Sequence, residues 1–190
     1  MKNFGMLGFL VFSLISCTML PAYKVSSESW NRETFSYKNK GSVIIHSILV
    51  YTASGRDSVQ NEITGLAPLI FMKHGFPKVC NNGKADYISD ICVFERQYMS
   101  QWRTLYSIAL EVRIWPVKDL LPSTASELNL IAADISPAVL ETVLPLAASR
   151  VVITGNKSLS SSFVLNNMLT KAIVKSVKQL NAGKHGKNEK

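Results

Sequence analysis

Apolar and polar residues alternate with a period of two over two neighbouring segments of the chain, which predicts a pair of antiparallel strands. The segments are residues 85–98 and 102–115, and the few residues between them predict a hairpin. In the second segment the residues of one face are almost all apolar: Thr104, Tyr106, Ile108, Leu110, Val112 and Ile114. Charged residues such as Glu111 and Arg113 lie on the other face, as is typical of a half-buried strand.

Two further runs of β-branched residues, 42–51 and 149–154, predict buried strands. A helical period follows the first run from Ser58 to a capping Gly75, and Pro68 inside it predicts a kink or a break. A short strand is expected over residues 76–80. The last helix carries apolar positions on one side and lysines toward its end, which favour the helix dipole.

Residues 116–148 predict two short helices that are almost entirely apolar. Thr124 and Glu127 form a capping box, and Ser136 followed by Pro137 indicates a second helix start. We expect these helices to pack on the sheet, with one alternative: a hydrophobic insert that contacts a partner or a membrane interface. The candidate contact residues for that alternative are Leu128, Ile131, Ile135, Val139, Leu140, Val143 and Leu144.

The order of these elements predicts an α+β fold with a mostly antiparallel sheet, helices packed on one face and an apolar helical insert. Residues 41–182 would form the single domain, with the insert at 116–148. Residues 17–40 are rich in serine, lysine, glutamate and asparagine and predict a tether. Residues 183–190 predict a disordered basic tail.

The chain begins with Lys2, an uncharged apolar run over residues 4–14, and the sequence Leu14-Ile15-Ser16-Cys17. The run is shorter than the roughly 20 apolar residues that cross a bilayer. This segment resembles the signal peptide and lipobox of bacterial lipoproteins, which implies removal of residues 1–16 and lipidation of Cys17, with palmitate as a typical acyl group. Soluble secretion and an uncleaved anchor are the alternatives; cleavage of the ordinary A-x-A type fits poorly here.

The charge distribution indicates which partners the chain could bind, and the cysteines indicate a possible disulfide. The formal net charge is +8, and the excess is concentrated near the C-terminus, at Lys171, Lys175, Lys178, Lys184, Lys187 and Lys190. Those lysines predict either a solvated terminus or contact with anionic lipid, while the exported location and the lack of aromatic–basic interleaving argue against nucleic acid. Cys80 and Cys92 are a candidate disulfide, although a buried free thiol at Cys92 is equally consistent with the sequence.

No catalytic motif stands out in the sequence. Asp86 and Asp90 fall on one strand face, where an ion pair with a residue such as Arg113 is more plausible than shared acid–base chemistry. His46, His74 and His185 are far apart in sequence, and the two downstream cysteines lack metal-ligand spacing. We therefore expect no enzymatic activity, no metal site and no cofactor.

The chain also resembles, in its layout, small α+β envelope lipoproteins of the lipopolysaccharide-assembly and curli-secretion type. The resemblance is carried by the lipobox, Gly75-Phe76, Ala85-Asp86-Tyr87, and residues 149–155 leading into the last helix. It implies an accessory or assembly role in the bacterial envelope with a membrane-protein partner. Thr18, where an aspartate would signal inner-membrane retention, implies an outer-membrane anchor facing the periplasm. The alternative function is a periplasmic carrier of a lipid or other amphiphile.

Overall fold

The computed structural model describes residues 24–31, 41–52, 55–80, 84–100, 103–120, 135–159 and 162–182. Its strands are β1 (Lys24–Asn31), β2 (Ser42–Tyr51), β3 (Lys78–Cys80), β4 (Tyr87–Ser100), β5 (Arg103–Pro116) and β6 (Ala147–Gly155). Its helices are α1 (Arg56–His74), α2 (Pro137–Thr142) and α3 (Ser162–Ala182), with a 3₁₀ turn at Val117–Asp119. The predicted α+β class is confirmed.

The six strands form one sheet in the order β1-β6-β5-β4-β2-β3. The hairpin of β4 and β5 is antiparallel, as are the pairs β5–β6 and β1–β6. The strand β2 runs parallel to both of its neighbours, β3 and β4, because α1 carries the chain back to the starting edge before β3 begins. The sheet is therefore mixed: three of its five strand pairs are antiparallel, as expected of a mostly antiparallel sheet, and the two pairs of β2 are parallel, which was not predicted.

One face of the sheet, here called the first face, holds the main hydrophobic core. The alternation predicted for β5 is confirmed, since Ile108, Leu110, Val112 and Ile114 are all buried on this face. The helices α1 and α3 cover it, and their buried residues pack against the strands: Val59, Ile63, Phe71, Leu165, Met168, Leu169 and Ile173. Pro68 lies inside α1 and does not split it: the helix runs unbroken from Arg56 to His74.

The opposite face, here called the second face, carries a smaller core. Ile44, Ile88 and Trp115 each follow a residue that points to the first face, so they point to the second. Leu120, Ile135 and Leu140 pack on them, and the indole Nε1 of Trp115 donates to the carbonyl oxygen of Val143 at 2.8 Å. The first and last helices thus cover one face, as predicted, and α2, which belongs to the predicted insert, covers the other.

The predicted apolar insert takes a different form in the described residues. Of residues 116–148, the described part comprises the end of β5, the 3₁₀ turn, α2 and the start of β6. The cap predicted at Ser136 is confirmed, because its side chain accepts from the amide of Ala138 at 3.3 Å and Pro137 opens the helix. The capping box at Thr124 lies outside the described residues. What the structure describes is a cover for the second face rather than a projecting insert.

The predicted tether also needs correction, because residues 24–31 form the edge strand β1. It pairs with β6 over its full length, from Lys24 opposite Thr154 to Asn31 opposite Ala147. The side chains of Ser27 and Ser29 accept hydrogen bonds from Lys175 and Gln179 of α3. The rest of the 17–40 segment lies outside the described residues. Of the helices described, none is long and apolar enough to cross a membrane.

Candidate interaction surface

A β-bulge in β2 places two polar side chains beside a buried carboxylate on the second face. The register of β2 against β4 shifts between Ile45 and Ser47, so that His46 is the extra residue and Ser47 lies opposite Asp90. Asp90 is buried, and the imidazole Nδ1 of His46 is 3.5 Å from its Oδ1. The bulge therefore builds a polar cluster inside a face that is otherwise apolar near α2.

The hydrogen bonds of His46 determine where its proton lies. Its Nε2 is 2.8 Å from the carbonyl oxygen of Ile135, and because a carbonyl only accepts, Nε2 is the donor. The remaining nitrogen, Nδ1, faces Asp90 and makes no hydrogen bond within the geometric limits. The Nε2 hydrogen bond therefore ties His46 to Ile135, the residue that leads toward α2, while its Nδ1 faces the carboxylate of Asp90.

Burial raises the pKa of Asp90 above its usual range, and neighbouring groups oppose that shift. The opposing groups are the hydroxyl of Ser47, which donates a hydrogen bond, and the charges of His46 and Arg113. The guanidinium of Arg113 lies 3.9 Å from Asp90 Oδ2 and 3.8 Å from Glu111 Oε1, and it also stacks over the ring of Trp115 at 5.3 Å. This confirms the expected ion pair of Asp90 with Arg113.

Beyond the polar cluster the second face is uncovered by the described residues, and it exposes a line of apolar side chains. Leu49, Tyr51, Phe94 and Tyr98, here called the apolar strip, point to this face and are all exposed. The rings of Tyr51 and Phe94 stack at 4.8 Å between centroids, yet they remain 53% and 46% exposed. Aromatic pairs with this much free surface, aligned on one face, are characteristic of contact surfaces.

The apolar strip leads onto a projecting arm of the sheet. The strand β2 ends opposite Phe94 and β6 ends opposite Tyr106, so residues 98–100 and 103–105 extend beyond both neighbouring strands as a two-stranded arm. Tyr98 and Met99 are exposed on this arm, and Arg96 and Arg103 add positive charge beside it. A hydrogen bond from the Thr104 hydroxyl to the Met99 sulfur, at 3.5 Å, links the two strands of the arm.

The start of β1 lies at the same end of the sheet as this arm. Lys24 is opposite Thr154, Thr154 is opposite Ser107, and Ser107 is opposite Arg96. Arg96 is positioned between Phe94 and Tyr98 on the second face. Lys24, the first described residue, therefore lies level with the apolar strip in the sheet.

The contact residues predicted from sequence fall mainly in the core. Ile135 and Leu140 are buried, and Val139 and Val143 pack against them beneath α2. The expectation that these residues pack on the sheet is confirmed for those four. Leu144 alone among the described candidates is exposed, at 73%, and Leu128 and Ile131 lie outside the described residues.

The two downstream cysteines are both buried and both free. Cys80 pairs with Ile44 and Cys92 pairs with Leu49, on opposite sides of β2. Two inter-strand spacings of about 4.8 Å separate their strands, beyond the 4.4–6.8 Å between Cα atoms that a disulfide spans. The candidate disulfide is therefore absent from this fold, since β2 stands between its two members.

The two acidic residues of β4 do not form a catalytic pair. Asp86 is exposed and accepts from the amide and hydroxyl of Ser42 at 2.6 and 2.9 Å. Asp90 lies four residues further along, about 13 Å at the rise of a strand, within the cluster of His46 and Arg113. Within the described residues no three of the His, Cys, Asp and Glu side chains gather as a metal site requires.

Sequence reasoning did not identify the apolar strip or the role of His46. Leu49 and Tyr51 end a run that has the composition of a uniformly buried strand. The bulge at His46 has no local sequence signature such as a glycine. The alternation in residues 85–98 did carry a signal, because Phe94 and Tyr98 share a face with Asp90 and Arg96 rather than with Ile91 and Val93. An apolar residue on the polar face of a strand was therefore the one feature of the sequence that could have indicated the apolar strip.

Comparison with known proteins gives a limited result. No protein-family model and no curated protein matches the chain. Among solved structures, the chain is similar to a PelC dodecamer from Paraburkholderia phytofirmans that carries one leucine-to-methionine substitution, with 13% identity and a TM-score of 0.46, over 83% of this chain and 98% of that one. A second PelC dodecamer structure from the same organism has 11% identity and a TM-score of 0.45 over the same shares. At these values the similarity supports no conclusion about the function of this chain.

Proposed function

We propose that this protein is a lipid-anchored, non-enzymatic accessory protein of the bacterial envelope that binds a membrane-protein partner through the apolar strip and the hairpin arm. The observation that carries the proposal is the exposed Tyr51–Phe94 stack at the end of the sheet where β1 begins. The lipobox at Leu14 to Cys17 supports the anchor, an outer-membrane location facing the periplasm follows from Thr18, and no catalytic step is required.

The distance from anchor to fold suits such a role. Seven peptide units join Cys17 to Lys24, and a fully extended chain covers at most about 3.6 Å per residue, so the reach is about 25 Å. Lys24 lies level with the apolar strip in the sheet register. An anchor at Cys17 therefore keeps Lys24 within about 25 Å of the bilayer surface. The strip lies on β4 and β2, three and four inter-strand spacings of about 4.8 Å from β1, so it stays within about 45 Å of that surface, where the exposed part of a membrane protein is accessible.

A protein partner accounts for the composition of the surface. Interface centres are enriched in aromatic residues, methionine and arginine and are depleted in lysine and acids. The strip presents Tyr51, Phe94 and Tyr98 with Arg96 beside them, and Met99 is exposed on the other side of the arm, which matches that composition. Confinement to the membrane raises the effective concentration of both partners, so a small interface suffices.

Site-specific photo-crosslinking in native membranes tests the proposal. A photoreactive amino acid at Tyr98 is expected to give one dominant crosslinked membrane protein, identified by mass spectrometry. The same probe at Asn61, exposed on α1, is the control and is expected not to capture that protein. Phe94→Ala should reduce the Tyr98 crosslink at least fivefold, whereas Leu69→Ala, which removes an exposed leucine from α1, should leave it unchanged.

Equal capture from positions 98 and 61, or a crosslink that Phe94→Ala does not weaken, would overturn the role of the strip. The anchor is tested separately by mass spectrometry of the N-terminal peptide. Cys17 is expected to carry diacylglyceryl and acyl mass, and a peptide that still contains residues 1–16 would contradict the lipoprotein assignment.

A further inference from the structure

An open apolar groove runs along the outer side of α3 on the first face of the sheet. One side of α3 packs against α1, and the other side, together with β6, forms the groove, whose volume is about 640 Å³. Its apolar walls come from both elements: Val151, Ile153, Phe163, Val164, Met168 and Val174. Sites for single small molecules have volumes of about 300–1,000 Å³, so the groove is of ligand size.

The groove has two uncharged polar side chains, Asn167 and Thr170, and its charged side chains are all lysines, three of the four toward one end. Lys171, Lys175 and Lys178 follow one another at spacings of four and three residues, which places them on one side of α3. Lys157 lies at the other end, with its ammonium 5.9 Å from the ring centroid of Phe163. No acidic side chain lines the groove among the described residues.

The positive charge at the lysine end is not balanced by nearby carboxylates. Within the described part of the chain, none of Lys171, Lys175 and Lys178 forms an ion pair, and Lys175 donates instead to the hydroxyl of Ser27 on β1. Three like charges on one helix side repel one another, and their alkyl stems cover apolar surface while the ammonium groups reach outward. An anion bound between them would relieve that repulsion.

The dimensions fit an acyl chain with a headgroup. Phe163 and Lys178 are fifteen residues apart in α3, which corresponds to about 22 Å along a helix axis. The hydrocarbon of one bilayer leaflet is about 15 Å deep, half the thickness of the apolar core. A single chain of that length can lie along the walls from Phe163 toward Val174 and leave its headgroup at the three lysines.

We propose that this groove binds one single-chain anionic amphiphile with a phosphate headgroup, its chain along the apolar side of α3 and its phosphate between Lys171, Lys175 and Lys178. A phosphate is favoured over a carboxylate because three lysines line this end of the groove, and lysine binds phosphate well as a point charge. This proposal is independent of the protein-partner proposal, because the groove lies on the opposite face of the sheet from the apolar strip.

Native mass spectrometry of the full chain, isolated from membranes in a neutral detergent, tests the proposal. Added lysophosphatidylglycerol is expected to bind with a stoichiometry of one. Lysophosphatidylcholine with the same acyl chain has no net charge, and a fatty acid has a carboxylate in place of the phosphate; both are expected to bind at least tenfold more weakly. Lys171→Gln combined with Lys178→Gln should weaken lysophosphatidylglycerol at least tenfold.

A matched control separates the site from net charge. Lys73→Gln combined with Lys84→Gln removes the same charge at exposed positions outside the groove and should leave binding unchanged. Val174→Trp fills the groove from the surface of α3 and should abolish binding, while circular dichroism reports that the fold is retained.

Three outcomes overturn the proposal. They are equal binding of the charged and zwitterionic lipids, equal loss in the groove and control double variants, and binding that appears only in Cys17→Ser. The last result would mean that the protein's own acyl chains fill the groove. None of these outcomes bears on the crosslink at Tyr98, so failure here and failure of the proposed function are distinguishable.

Discussion

Asp90 is the one charged side chain among the buried residues of the described part of the chain. Its burial disfavours the ionised form, and the groups that face it offset that cost only in part: Ser47 and His46 from β2 and Arg113 from β5. The free energy of unfolding should therefore depend on pH. Because the pKa is raised on folding, the folded state holds more protons than the unfolded state between 3.8 and the folded pKa.

The expected result is that the free energy of unfolding falls as the pH rises from 3.8 through the folded pKa of Asp90, and then levels off. Asp90→Asn removes the titrating group, so this fall should be smaller in the variant. Urea unfolding at a series of pH values measures it. Glu141→Gln, which removes one exposed negative charge from α2, is the control, and an unchanged slope in Asp90→Asn would show that Asp90 is not responsible.

Gly41 is a second residue whose identity is set by a contact. A Cβ at this position would lie 2.1 Å from Asp86 Oδ2 and 2.7 Å from Asp86 Cβ, so the aspartate would have to move. Gly41→Ala should break the two hydrogen bonds that Asp86 accepts from Ser42. Because the site is exposed, we expect a loss of about 1 kcal/mol, measured by chemical denaturation.

Gly65 in α1 provides the matched control, since a Cβ there meets nothing within 4 Å. Gly65→Ala should stabilise the protein by about 0.5–1 kcal/mol, because alanine loses less backbone freedom in a helix. If Gly41→Ala remains destabilising in an Asp86→Gly background, which removes the whole Asp86 side chain, then the clash with that side chain is not the cause.

At the scale of elements, α2 is a cover for the second face with one exposed leucine nearby. Leu140 is 3% exposed in the smaller core, whereas Leu144 is 73% exposed. Leu140→Ala should cost about 2–3 kcal/mol, as expected for a buried leucine, and Leu144→Ala should change the free energy of unfolding by less than about 0.5 kcal/mol. Thermal and urea unfolding of the two variants measure the difference.

This pair also separates the two interpretations of residues 116–148. If Leu140→Ala left stability unchanged, α2 would not be part of the fold, and the contact interpretation would regain support. The same leucine-to-alanine change at both positions keeps the chemistry constant, so only burial differs between them.

The elements with a strong local pattern were predicted from the sequence. β4 and β5 have period-two alternation, α1 and α3 have a helical period, and each of these is present in the structure. β1 has a polar sequence, KVSSESWN, and no alternation, because an edge strand buries little and is held by main-chain pairing to β6. Its partner lies far along the chain, where no local pattern can indicate it.

The direction of β2 relative to β4 was not predictable for a related reason. Strand patterns report which residues are buried, and they carry no information on the order of strands in a sheet. The three-residue β3 pairs on the side of β2 away from β4, so β2 separates Cys80 from Cys92, and sequence spacing alone could not indicate this. The candidate contact residues in and around α2 were identified as apolar. Whether each of them is buried or exposed depends on its packing against Trp115 and Ile88, which the local sequence does not indicate.

At the scale of the whole molecule, the two proposed surfaces lie on opposite faces of one sheet. The apolar strip is on the second face, and the groove along α3 is on the first. Both reach the end of the sheet where β1 begins, since Phe163 follows the end of β6 in the chain. A single anchor at Cys17 would thus bring a protein-binding face and a lipid-binding face to the membrane together.

The pairing of β1 with β6 also constrains the order in which the fold can assemble. β1 precedes every other described element in the chain, and its hydrogen-bonding partner is the last strand. It therefore has to wait, unpaired, until Ala147–Gly155 has been synthesised and has joined β5. Any truncation before β6 would leave β1 without a neighbouring strand, so the sheet is completed only when two segments more than 100 residues apart in the chain meet.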